Sequence, residues 1–269
     1  VHQLNISYKY FIDPKNGISL EVDNDLKDFT SELLNIGDLK TPSKPVEVLA
    51  VIMDLEGFTT FTRQVDPKLA IPSFVSDFFN WLFDKIRDEM HISKENKTLW
   101  AELPFFSKFL GDGVLFLWRI DTDKISAIDS QLSSERINHL TQELICNIIA
   151  TLYEICRDYP NFLKERELNY VDPPTRLRCG IARGDAFPLG INKDFVGPCI
   201  NIASRLQKFN DLSFGVSARG IDHNYFGEGY KKFFLKKKVY IRGIGENEII
   251  YLLNDEYKQL SEEAKMIFK

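Results

Sequence analysis

The chain predicts an α+β fold: a sheet containing antiparallel pairs with helices packed on one face, a ferredoxin-like core elaborated at both ends. Three observations carry this. Val46 to Met53, "VEVLAVIM", is short, apolar and rich in β-branched residues, as a strand buried in a sheet centre should be. Two long stretches repeat apolar residues at three-to-four spacing, the mark of helices with one core face. Strand-like and helix-like segments alternate, with neither internal repeats nor low-complexity stretches.

The elements follow in order. Residues 1–45 form an amino-terminal extension with a short helix expected near Asp25 to Asn35, and "TPSKP", Thr41 to Pro45, breaks structure before the first core strand. A helix is expected from Ile71 to Met90, because Ile71, Val75, Phe78, Phe79, Leu82 and Ile86 share one face. A hairpin around Asp112 follows, with Phe105, Phe106, Phe109, Leu110, Val114, Leu115, Phe116 and Leu117 as sheet material. Ile137, Leu140, Leu144, Ile148, Leu152 and Ile155 stripe a helix from Ser133 to Cys156, capped by Ser133 or Ser134. Tyr159 to Pro174 reads as loop, and strands resume at Leu177. The expected division is the extension, one domain over residues 46–255, and a tail over 256–269.

Composition sets limits. A chain of 269 residues with 44% hydrophobic content can bury a full core. Its net charge of -5 opposes broad nucleic-acid binding. The one basic cluster, Lys231, Lys232, Lys236, Lys237 and Lys238, reads first as a solvated strand face, with weak contact to a membrane or polyanion as the rival reading. Cys146, Cys156, Cys179 and Cys199 show no CxxC spacing; Cys146 and Cys156 stand about 15 Å apart along one helix, too far to bridge. Reduced thiols and a cytoplasmic location are expected. No signal peptide or apolar run of about 20 residues is visible, so no stable membrane insertion is expected. The chain begins at Val1 rather than methionine, which leaves room for a piece upstream. A glycine-rich loop of the G-x-x-x-x-G-K type is absent.

The chemistry concentrates in three segments. Asp54 follows the apolar strand in "VIMDLEGFTTFT", and Asp112 lies in the tight turn of "KFLGDGVLFLW". Two such carboxylates can hold two divalent cations, an arrangement suited to in-line displacement at phosphorus. Gly57, Phe58 and Thr59 open the next helix, where backbone amides can face a polyphosphate. Taken singly, Asp54 reads equally as a helix N-cap and Asp112 as a turn residue, because Gly-Asp-Gly is ordinary turn chemistry. The third segment, "FVGPCINIASRLQ", starts a helix at Gly197-Pro198 and sets Asn201 and Arg205 four residues apart on one face. An amide beside a guanidinium can orient a sugar and neutralise a crowded phosphate. Alone, the pair also reads as packing and a surface ion pair.

Together these segments, with the closing "VYIRGIGENEIIYLL", resemble class III nucleotidyl cyclase catalytic domains over roughly Val46 to Asn254. The resemblance implies Asp54, Asp112 and the carbonyl of Leu55 as ligands of two Mg²⁺ or Mn²⁺ ions. It implies Asn201 and Arg205 as the pair that positions the ribose and stabilises the transition state, and Arg178 and Arg242 as triphosphate cations. Arg242 stands where the family often has lysine. It also implies a homodimer with shared active sites, acting on a nucleoside triphosphate.

Lys108 and Asp194 match the base-reading positions, and Lys with Asp is the adenine pattern. The same donor and acceptor can meet uracil or cytosine, and Phe105, Phe106, Phe109 and Trp118 would favour a narrow slot. "KFLGDGVLFLW" and "FVGPCINIASRLQ" resemble the bacterial pyrimidine cyclases of the Pycsar anti-phage systems, and Pro198-Cys199 replaces the small polar pair more usual in adenylate cyclases. That resemblance implies cUMP, ahead of cCMP, made for a separate effector. The alternatives are an adenylate cyclase and a degenerate nucleotide-binding cyclase fold.

Overall fold

The computed structural model describes residues 8–15, 17–22, 44–63, 66–92, 98–129, 131–166, 170–190, 194–209 and 211–269. By internal packing the chain divides into two compact units, Val1–Val46 with Ala186–Val196, and Glu47–Asp185 with Gly197–Lys269.

In the first unit, β1 (Tyr8–Asp13) and β2 (Gly17–Val22) form an antiparallel hairpin with Ile12 opposite Ile18. This hairpin was not among the expected elements, although "YKYFID" and "GISLEV" flank turn chemistry: Asp13 Oδ1 accepts from Lys15 N at 2.7 Å. Tyr10, Phe11, Ile12, Ile18 and Leu20 are exposed on it. The helix expected near Asp25 to Asn35 lies outside the described residues.

The second unit is built on β3 (Val46–Glu56), α1 (Phe58–Phe61), α2 (Pro67–Met90), β4 (Phe106–Leu110), β5 (Gly113–Arg119), α3 (Thr122–Ser126) and α4 (Ser134–Lys164). β6 (Arg176–Leu189) follows and runs into the first unit, where its end pairs antiparallel with β7 (Asp194–Val196). Then come α5 (Pro198–Leu206), β8 (Phe214–Ser217), α6 (Glu228–Lys231), β9 (Phe234–Ile241), β10 (Gly245–Leu253), α7 (Asn254–Gln259) and α8 (Glu262–Lys265). The sheet order is β4-β5-β3-β6-β8-β10-β9, with β6 parallel to β8 and antiparallel pairs at β4-β5, β3-β5, β8-β10 and β9-β10. The carboxyl end returns to the sheet: Phe268 bridges Val239, and Lys269 exchanges backbone hydrogen bonds with Lys238.

Strand alternation divides the sheet into two faces. Leu49, Val51, Met53 and Leu55 of β3 and Leu177, Cys179 and Ile181 of β6 join α2 and α4 in one core. Gly180 points the other way, and a Cβ there would meet the backbone of Ala203 and, at 2.6 Å, Gln207 N. α5 therefore lies flush on the opposite face, and helices cover both faces instead of the one expected. The reason is tertiary: Gly180 and its register partner Gly215 leave no side chain to hold α5 off the sheet.

Both long helices exceed their expected spans. α2 starts at Pro67 instead of Ile71, using proline at its first turn, and carries Pro72 inside. α4, capped by Ser133 Oγ accepting from Arg136 N at 3.2 Å, continues through Pro160 to Lys164, where loop was expected. An interior proline costs about 3 kcal/mol. Fully burying Tyr159 and Phe162 against Phe78 and Trp81 is worth about 2–3 kcal/mol for each ring, so packing wins. Among the described residues no helix is long and apolar enough to cross a membrane. All four cysteines are buried and unpaired in disulfides.

Candidate active site

β3 runs through Asp54 to Glu56, beyond its expected end at Met53, because Leu55 continues the buried alternation and Glu56 O accepts from Thr175 N at 3.2 Å. Asp54 is therefore a strand residue; the N-caps of α1 and α2 are Gly57 and Asp66. Alternation turns Asp54 and Arg178 toward the face that carries α5. Gly57, at φ 88°, then reverses the chain into α1.

Asp112 sits in the turn between β4 and β5, and the register of Met53 opposite Val114 brings that turn against Asp54. Contact is close. A Cβ on Gly113 would lie 2.6 Å from Met53 O and 3.1 Å from Asp54 Oδ1, so only glycine fits without a backbone shift. From β6, Arg178 Nη2 donates to Asp54 Oδ2 at 2.5 Å, with both side chains less than one-fifth exposed. Burial, and then the charge of Asp54, push the Asp112 carboxyl above its ordinary range; its own backbone N–H and Arg178 act the other way.

A cavity of about 520 Å³ opens over this group. Of the residues singled out from sequence, Asp54, Leu55, Phe58, Thr59, Asp112 and Arg178 line it. Ser204, Gln207 and Lys208, from α5 and the turn after it, complete the wall, and sequence reasoning did not mark them as site residues. Their i, i+3, i+4 spacing was the available signal. Asn201 and Arg205 are exposed and do not line the cavity of their own chain. Lys108, exposed on β4, and Arg242, exposed in the turn after β9, also lie off its wall. Asp194 begins β7, in the first unit, where its Oδ1 accepts from Phe195 N at 2.8 Å.

The narrow aromatic slot expected from Phe105, Phe106, Phe109 and Trp118 is not formed at this cavity, which none of them lines. Trp118 is fully buried and donates Nε1–H to Glu102 O at 2.9 Å, while Phe109 packs on Phe79 of α2 at 4.6 Å between ring centroids. Core packing claimed Trp118, while Phe109 stays exposed beside Phe79.

The donor set fits a hard divalent cation. Two carboxylates of like charge share one wall, Arg178 is the counterion that meets them there, and Leu55 lines the same wall. Among the described residues no group of three or more His, Cys, Asp or Glu side chains is placed to hold a metal, so the set rests on two carboxylates plus neutral oxygens. Two buried side-chain atoms of the described residues lack a hydrogen-bond partner, Arg178 Nε and Gln207 Oε1, and both residues line this cavity.

No protein-family model and no curated protein matches the chain by sequence. Solved structures do match. Two structures of bacterial light-regulated adenylyl cyclases align with TM-scores of 0.51 and 0.50 at 15% and 16% identity, over 90% and 85% of this chain. The chain spans 61% and 57% of their lengths. The adenylyl cyclase CyaB from P. aeruginosa aligns at 0.49 and 13% identity, over 82% of this chain and 100% of that one. The fold is that of class III cyclase catalytic domains, with a mixed sheet and helices packed on it.

Proposed function

We propose that the protein is a nucleotidyl cyclase that converts a nucleoside triphosphate to a 3′,5′-cyclic nucleotide and pyrophosphate. The observation that carries this reading is the shared wall of Asp54, Asp112 and Arg178 in a fold of the cyclase type. Asp54, Asp112 and the Leu55 carbonyl would hold two divalent cations, Mg²⁺ or Mn²⁺. Bound there, such ions lower the pKa of the ribose 3′-hydroxyl and neutralise the triphosphate.

The chain's own groups do the rest. Arg178 donates to phosphate oxygens from the floor of the cavity. In-line attack of the 3′-oxygen on the α-phosphorus forms the new P–O bond as the bond to pyrophosphate breaks, the 3′-hydroxyl proton passing to water or a substrate phosphate oxygen, and no covalent enzyme intermediate is needed. Arg205 and Asn201, exposed on α5 and off their own chain's cavity, serve the site of a second copy in a two-fold homodimer. A preorganised Arg205 is worth about 3 to 4 kcal/mol at the transition state. Lys108 and Asp194 read the base and Arg242 meets the triphosphate in that shared site.

For the base, the reading is a pyrimidine, UTP before CTP, in a cytoplasmic anti-phage role with a separate effector. It rests on the segment Gly197 to Gln207, "GPCINIASRLQ", since none of the four aromatic residues lines the chain's own cavity. Adenylate cyclase is the second reading, favoured by Lys108 with Asp194. The test is incubation of the protein with each of the four ribonucleoside triphosphates and Mn²⁺ or Mg²⁺, followed by mass analysis. A cyclic pyrimidine nucleotide in excess is expected. Predominant cAMP would sink the pyrimidine assignment alone, and no cyclic product from a folded dimer would sink the enzyme.

A further inference from the structure

We propose that Gln207, the residue that follows α5, contacts the nucleoside part of a triphosphate bound in the Asp54/Asp112 cavity, through its side-chain amide oxygen. This deepens the cyclase reading and rests on it. Gln207 is 4% exposed, yet its Oε1 has no hydrogen-bond partner. Folded proteins pair about nine in ten or more of their buried polar groups, and leaving one unpaired costs about 1–3 kcal/mol. A residue held so against stability, on the wall of a cavity, is poised for something that enters the cavity.

The second unpaired atom belongs to a residue that lines the same cavity, and it has the opposite sense. Arg178 Nε is a buried donor without an acceptor, in a side chain whose Nη2 is committed to Asp54. One ligand bearing both an anionic acceptor and a neutral donor satisfies both atoms. A nucleoside triphosphate has both: phosphate oxygens for Arg178, and sugar hydroxyls or base N–H groups for Gln207. The amide is also the right charge. A carboxylate at this position would add a third negative charge to the wall that already holds Asp54 and Asp112.

The backbone beneath Gln207 is fixed. Its N–H donates to Ala203 O at 3.2 Å, and Gly180 of β6 packs so closely that a Cβ there would lie 2.6 Å from Gln207 N. The side chain is thus presented from a rigid seat, as a specificity contact requires. Ser204, one turn earlier and half-buried, lines the same wall.

The experiment compares wild type with Gln207→Met, which keeps the length of the side chain and removes its polar atoms. Binding is measured by calorimetry with Mn²⁺ and two probes: the α,β-methylene analogue of each common ribonucleoside triphosphate, which cannot release pyrophosphate, and inorganic tripolyphosphate. Gln207→Met should bind the analogue preferred by wild type about tenfold more weakly and tripolyphosphate equally well, with a ligand-free unfolding temperature at or above that of wild type. Gln207→Glu should weaken both probes through its added charge. Equal binding of the analogue by wild type and Gln207→Met overturns the inference and leaves the cyclase reading standing, as does a fall in unfolding temperature without loss of affinity. Unchanged affinity of Gln207→Glu for both probes also overturns it. Wild type binding none of the nucleotide analogues overturns the cyclase reading and this inference with it.

Discussion

Arg178 Nη2 lies 2.5 Å from Asp54 Oδ2, so one guanidinium neutralises a carboxylate whose neighbour Asp112 is already held above its ordinary pKa. This pair is the electrostatic centre of the cavity. Its geometry decides what single substitutions should do.

Asp54→Asn and Asp112→Asn should each lower turnover at least about a hundredfold, because a neutral amide binds a hard divalent cation poorly beside a polyphosphate. Both variants should remain folded. The amide oxygen that Asp54→Asn leaves in place can still accept from Arg178, and Asp112→Asn removes a carboxyl that burial already disfavours as an anion. Turnover assays beside thermal unfolding check this. Near wild-type turnover in either variant would return that aspartate to a purely structural role.

Gly180→Ala should be among the most damaging small substitutions in the chain. Its Cβ would enter the α5 backbone at Ala203 and Gln207, and two backbone segments cannot yield as a side chain can. The expected loss is about 2–3 kcal/mol, read as a fall of about 5–10 °C in unfolding temperature. A change of less than about 1 °C would mean that α5 does not lie flush on β6.

Glu256 supplies a pH dependence away from the site. Burial raises its pKa, against hydrogen bonds from Ser213 N, at 2.9 Å, and Ser213 Oγ. The folded state then holds its proton to higher pH than the unfolded state. Stability contributed by this group is full below the unfolded carboxyl pKa and falls as pH rises through the raised folded value. Glu256→Gln should flatten that decline in unfolding free energy above about pH 4.5; an unchanged slope would contradict the shift.

Subunit complementation tests the proposed shared site. Asp54→Asn and Arg205→Ala should each be inactive alone. Random 1:1 exchange makes half the dimers mixed, each with one intact site of two, so activity should recover to about a quarter of wild type. No recovery after verified exchange would place all catalytic groups on one chain.

Local rules made much of this molecule legible in advance. The buried strand from Val46, the turn at Asp112, the Ser133 cap and the start of α5 at Gly197-Pro198 each depend on a few adjacent residues, and each stands where the sequence puts it. Periods of 2 and 3.6 likewise tell which side of an element is buried. They do not tell what it is buried against. Only packing could decide that Tyr159 and Phe162 carry α4 past Pro160, that Trp118 belongs to the core, and that α5 covers the second face of the sheet. The same limit hid Gln207. Its type and position in "SRLQKF" are ordinary, and its meaning comes from an unpaired oxygen beside residues far away along the chain. Sequence alone determined which charged and polar groups the chain has to offer; the close approach of three strands and one helix decided which of them meet at the cavity.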